Sequence, residues 1–117
     1  MPSLDPVHGF ALGVTLLTEA AGMALLAALV APGRVLRCTL VAVVLNLLTH
    51  TLFWFGFPLL RNPTRMGLLA GEAVVVLLES AAYRLLCPFR WRLALAASLL
   101  LNLGSLVVGV QVWRLLY

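Results

Sequence analysis

Apolar residues along this chain run in four long stretches that only three short polar breaks interrupt. The breaks are Ala31-Pro32-Gly33-Arg34, Arg61-Asn62-Pro63-Thr64-Arg65 and Cys87-Pro88-Phe89-Arg90, each carrying the proline and the charge that end a helix. The stretches run from about Phe10 to Ala31, Leu36 to Leu60, Met66 to Leu86 and Leu93 to Leu115. Each is near the roughly 20 residues that a bilayer-spanning helix needs. Connections this short force consecutive helices to lie antiparallel and side by side. The pattern therefore predicts an all-α, integral membrane, up-down-up-down four-helix bundle, a single domain over residues 1–117. Both termini then fall at one end of the bundle, the termini end, and the breaks at 31–34 and 87–90 at the other, the turn end.

Composition agrees with this pattern. The chain is 63% hydrophobic and 10% charged, whereas a soluble domain carries about a quarter of its residues charged. Its net charge of +4 comes from eight arginines and no lysine, dispersed over turns and segment ends. Nucleic acid, which calls for a clustered basic face, is not an expected partner. The start, Met1-Pro2-Ser3-Leu4-Asp5-Pro6, lacks the basic region of a cleavable signal, and the apolar run after it is longer than a signal core. That run is expected to stay in the protein as its first helix.

Aromatic residues fall at both expected interfaces: Phe10, Trp54, Phe55, Phe57, Trp113 and Tyr117 at the termini end, Tyr83, Phe89 and Trp91 at the turn end. Arg34, Arg37, Arg84, Arg90 and Arg92 crowd the turn end, against Arg61, Arg65 and Arg114 at the other. The positive-inside rule then puts the turn end in the cytoplasm and both termini outside.

Polar residues inside the apolar stretches carry the candidate chemistry. Glu72 and Glu79 stand seven residues apart, about two helical turns, so they share one helix face, with Tyr83 one turn further on. A carboxylate at mid-membrane costs roughly 2.5–3.5 kcal/mol on insertion scales, and such groups as a rule face a bundle interior and act there. Depth along antiparallel helices puts Glu19, Asn46, Glu79 and Asn102 in one layer, with His50, Glu72 and Ser105 about a turn nearer the termini end. Ser98, Asn102, Ser105 and Gly109 follow one helical stripe, and Gly9/Gly13, Gly67/Gly71 and Ser105/Gly109 have the small-residue spacing of close helix contacts.

Three carboxylates facing one imidazole in a low-dielectric interior cannot all be ionised without a further positive charge. Protonated glutamates, a bound cation or water reaching the centre would each answer this. A divalent cation, if one binds, would take Glu72, Glu79 and His50, although the Glu-x-x-His pair of di-metal bundles is absent. A glutamate acting as general base on water would instead make an intramembrane hydrolase. A structural accessory subunit, with Asn46 and Asn102 only joining helices, is the third possibility. Cys38 and Cys87, without a CxxC spacing, are expected at the turn end as free thiols able to approach one another.

The segments Asn46-Leu47-Leu48-Thr49-His50, Glu72 to Glu79 with Tyr83-Arg84, and Ser98 to Ser105 ending at Gly109 resemble a group of small prokaryotic four-helix membrane proteins. Their pattern is N-L-x-T-[HN]-P, E-x6-E-x3-Y and S-x3-N-x2-S-x3-G, and Thr51 stands here in place of its proline. The resemblance covers helices two to four, attaches no activity, and implies the cell membrane of a prokaryote. The resulting expectation is a proton- or cation-binding centre of Glu72, Glu79, His50, Glu19, Asn46, Asn102, Ser105 and Tyr83, serving transport or a proton-coupled membrane complex. Expected partners are the lipid bilayer and either further copies of the chain or other membrane subunits.

Overall fold

The computed structural model describes residues 6–56 and 65–116. These form α1 (Pro6–Val30), a 3-10 turn (Pro32–Arg34), α2 (Val35–Gly56), α3 (Arg65–Leu86) and α4 (Trp91–Leu116), with no strand among the described residues. Helix α1 begins earlier than the apolar pattern implied, because Pro6 lacks only an N–H that the first turn leaves unused. The expected helical positions 57–60 and the turn at 61–64 lie outside the described residues, as do the aromatic side chains of Trp54, Phe55, Phe57, Trp113 and Tyr117.

Proline sets both described turns. Ala31, held before Pro32, leaves the helical region at φ −145° and ψ 68°. Its N–H still donates to Ala27 O at 2.7 Å, and the Arg34 N–H donates to Ala31 O at 2.9 Å. Likewise α3 stops before Pro88: the Cys87 N–H reaches Tyr83 O at 3.1 Å and the Phe89 N–H reaches Cys87 O at 2.8 Å. Two tight hairpins follow, α1 with α2 and α3 with α4.

The hairpins close into a ring in which α1 lies against α2 and α4, α4 against α3, and α3 against α2. Side-chain levels fix the directions. Glu79 meets Thr49 across α3 and α2, and Tyr83, one turn on, shares a cluster with Cys38 and Ala42, earlier in α2; α3 therefore runs opposite to α2. Glu19 meets Ser105, while Met23 and Ala27 pack with Ala94, so α1 runs opposite to α4. The long axis measures 42 Å.

Buried and exposed residues are distributed inversely to those of a soluble bundle. Apart from Met23, Tyr83 and Phe89, the buried side chains are small or polar, including Glu19, Glu79, Asn46, Thr49, Ser80, Ser98, Ser105 and alanines 27, 42, 94 and 97. The exterior carries the leucines, among them Leu29 (77% exposed), Leu36 (73%) and Leu85 (78%). Leu12–Val30, Pro32–Leu52 and Trp91–Leu116 are long and apolar enough to cross a membrane. Helix α3, which carries two glutamates and two arginines, is not among those found in the described residues.

Two further expectations are corrected. Tyr83 and Phe89 do not stand in an interfacial belt but are buried in the core, since each faces the bundle where the turns draw the helices together; Trp91 is exposed. Gly9, Gly13 and Gly109 are not points of close helix approach, because a side chain added at any of them would meet open space. A close approach occurs instead at Gly22, where an added Cβ would collide with the Leu101 side chain of α4.

Candidate functional site

At the middle of the bundle Glu79 is fully buried and is contacted from two helices. The Asn102 amide donates to its Oε2 at 2.7 Å, with the other amide hydrogen directed to Ser98 O at 2.8 Å. Ser98 Oγ stands 3.5 Å from the same Oε2, and Thr49 Oγ1 stands 3.3 Å from Oε1. On the opposite side of the centre Glu19, also fully buried, has Oε1 at 3.1 Å from Ser105 Oγ, while its Oε2 is buried with no hydrogen-bond partner. Every partner given to the two carboxyls is neutral.

The hydroxyls decide how these contacts can be used, because each has one hydrogen to give and two lone pairs to receive with. Thr49 has a closer acceptor in its own helix, Leu45 O at 2.9 Å. Ser98 lies nearer Val76 O, at 3.0 Å, and Ser105 nearer Asn102 O, at 2.9 Å. With these hydrogens committed to backbone carbonyls, the hydroxyl oxygens face the carboxyls as acceptors. A protonated Glu79 can then donate through Oε1 to Thr49 Oγ1 while Oε2 accepts from Asn102, and a protonated Glu19 can donate through Oε1 to Ser105 Oγ. Rotating the hydroxyls converts each site into a donor set for the ionised form, so the same side chains suit both states.

The other expected site residues divide around this pair. Asn46 is buried beside Glu19, its amide donating to Ala42 O at 2.9 Å within α2. His50 is half-buried toward the termini end, with Nδ1 enclosed and without a partner. Tyr83 is fully buried one turn toward the turn end, its hydroxyl also without a partner. Glu72 departs from expectation: it shares the face of Glu79 yet is exposed, because that face is left uncovered at its level. Among the described residues no group of three His, Cys, Asp or Glu side chains is placed to hold a metal ion.

Thr49 and Ser98 belong to the centre although neither was counted among its expected members. Their signal was positional: Thr49 lies three residues after Asn46 and Ser98 four before Asn102, each on the same helix face. At the turn end Cys38 and Cys87 are free and buried together, within hydrogen-bonding reach. Burial, then the neighbouring Cys38 thiol, pushes Cys87 up to about 12, against a smaller opposing pull from Arg37.

No protein-family model, curated protein or solved structure matches this chain. What the centre does must follow from its own geometry.

Proposed function

We propose that this chain is an integral membrane protein, crossing the bilayer four times, whose Glu19 and Glu79 bind and pass on protons in transport or in a proton-coupled membrane complex. The membrane placement is supported by the exterior: an apolar surface of this extent needs lipid or a partner to cover it. Helix α3 joins the other three as a span because its costly Glu79 is shielded by Asn102, Ser98 and Thr49. Arg34, Arg37, Arg84, Arg90 and Arg92 are all exposed at the turn end, which favours that end in the cytoplasm of a prokaryotic cell and the termini outside.

One observation carries the proton reading. All three hydroxyls next to the carboxyls have closer backbone acceptors, so they serve a protonated and an ionised glutamate equally well. A carboxyl that can gain or lose a proton without leaving its neighbours unpaired is suited to proton transfer. The neutral amide and hydroxyl partners around each carboxyl suit a tightly held divalent cation less well than further carboxylates would. Glu79 and Glu19 are the exchanging groups, Asn102, Thr49, Ser98 and Ser105 orient them, and His50 and Glu72 lead toward the termini end. A narrow interior of four helices suits a homo-oligomer or a subunit of a larger assembly.

The test is proton flux in proteoliposomes carrying wild-type protein, Glu79→Gln or Glu19→Gln. Both variants should fold and lose flux, whereas equal flux in all three would refute a proton role. Elemental analysis of the same samples separates the cation alternative, since stoichiometric metal in the wild type that disappears in Glu79→Gln would replace the proton by a metal ion.

A further inference from the structure

A groove of about 220 Å³ runs along the outer side of the bundle between α3 and α4, lined by Leu77 and Ser80 of α3 and by Trp91, Arg92 and Leu95 of α4. Helical spacing explains its lining. Leu77, Ser80 and Arg84 recur at i, i+3 and i+7 and share one face of α3, while Arg92 and Leu95 stand three apart on one face of α4. Because α3 ends and α4 begins at the turn end, Arg84, Trp91 and Arg92 mark the mouth of the groove, and Leu77 and Leu95 its depth.

Depth and mouth differ in chemistry. In the depth the walls are leucine, and Ser80 on the buried floor commits its hydroxyl hydrogen to Val76 O at 2.6 Å in its own helix. That carbonyl also accepts from Ser98 at 3.0 Å, so the groove backs onto the Glu79 centre. At the mouth Arg84, Arg90 and Arg92 are all exposed, and the chain has no acidic residue after Glu79. Helix α4 adds its positive end: its bonding starts with the Ala94 N–H on Arg90 O at 2.8 Å, which leaves the N–H groups of its first turn unused by the helix. Trp91, exposed beside Arg92, has the amphipathic ring that favours headgroup level.

We infer that the α3–α4 groove binds one anionic phospholipid, its phosphate held by Arg92 with Arg84 across the mouth and an acyl chain laid along Leu77 and Leu95. This rests on the membrane placement proposed above but not on the proton role of Glu19 and Glu79. A guanidinium matches phosphate through two parallel hydrogen bonds, and basic pockets between membrane helices are where anionic headgroups bind. A free phosphate would use the mouth alone and leave the leucine-lined depth uncovered. A zwitterionic lipid brings a cationic group beside its phosphate, which the arginines repel.

Native mass spectrometry of the full chain released from detergent micelles, titrated with phosphatidylglycerol or phosphatidylcholine, tests this. Wild-type protein should retain one phosphatidylglycerol per chain and prefer it to phosphatidylcholine by about fivefold or more, the selectivity that one arginine near a headgroup supplies. Arg92→Gln should remove most of that preference. Leu77→Trp, which fills the groove and leaves every charge in place, should abolish the retained lipid, and Arg34→Gln, in the turn of the other hairpin, should change neither. Equal losses from Arg34→Gln and Arg92→Gln would mean diffuse attraction to surface charge and would overturn the site, as would retention unaffected by Leu77→Trp. Inorganic phosphate binding as tightly as phosphatidylglycerol would overturn the lipid in favour of a free anion, and a lipid-free dimer lost in Leu77→Trp would replace it by a second copy of the chain. Protein that stays in solution without detergent would remove the membrane placement itself, whereas protein that needs detergent yet shows no preference between the two lipids would overturn this inference alone.

Discussion

Asn102 illustrates how much a single side chain decides here. Its amide holds Glu79 at 2.7 Å and its own helix at 2.8 Å, so Asn102→Ala removes the shortest contact of a buried carboxyl and leaves Thr49 and Ser98 to compensate. The expected loss is roughly 1–2 kcal/mol, within the range found for interhelical hydrogen bonds in membranes, read as an earlier unfolding transition in detergent. Cys87 gives a prediction in pH. The thiolate is the reactive form, and a thiol held at about 12 has almost none at neutral pH. Maleimide should therefore modify Cys87 slowly in the folded protein near pH 7, faster as pH climbs toward 12, and readily at neutral pH once the chain is denatured. Linkage has the matching sign: a thiol raised by folding keeps its proton in the native state while the unfolded chain loses it, so stability should fall as pH rises from the ordinary thiol range toward 12. The types Glu, Asn and His inside apolar runs were legible as a site from sequence. The individual pairings, Glu79 with Asn102 and Glu19 with Ser105, were not, because helix rotation and tilt set which polar neighbours meet.

Among the elements, the α1–α4 crossing is where close approach matters. Gly22 lies against Leu101, and Gly22→Leu should overpack this contact at a cost of about 1–3 kcal/mol. Gly13→Leu, facing open space, should change the stability of the isolated chain by less than about 0.5 kcal/mol, and comparing the two melting curves checks both. Spacing rules pointed to Gly9/Gly13 instead, since a period of four residues identifies a stripe but not which neighbour covers it. The turns were the reverse case. Ala31-Pro32 and Cys87-Pro88 end their helices through local sterics, so α1 and α3 stop within a residue or so of where the sequence places the breaks.

For the whole molecule, outside and inside carry opposite demands. Leu25, on the outer face of α1 and 65% exposed, should tolerate any apolar replacement, whereas Leu25→Arg should lower insertion efficiency by about 2–3 kcal/mol in a translocon assay without altering the interior. An equal yield of inserted protein would argue that this face meets water or a polar partner. By itself the sequence determined that the chain is helical, that it has four segments with antiparallel hairpins at both proline turns, and that carboxylates lie within the apolar runs. Each of these is set by composition and by contacts near in sequence. Only the tertiary structure decided that Glu79 is enclosed while Glu72, two turns away on the same face, is not. It alone decided that Tyr83 belongs to the core and joins Met23, Phe89 and the two cysteines in one buried cluster. Those outcomes depend on how the helices are rotated and tilted against one another, a property of four helices packed together that no periodicity within one of them contains.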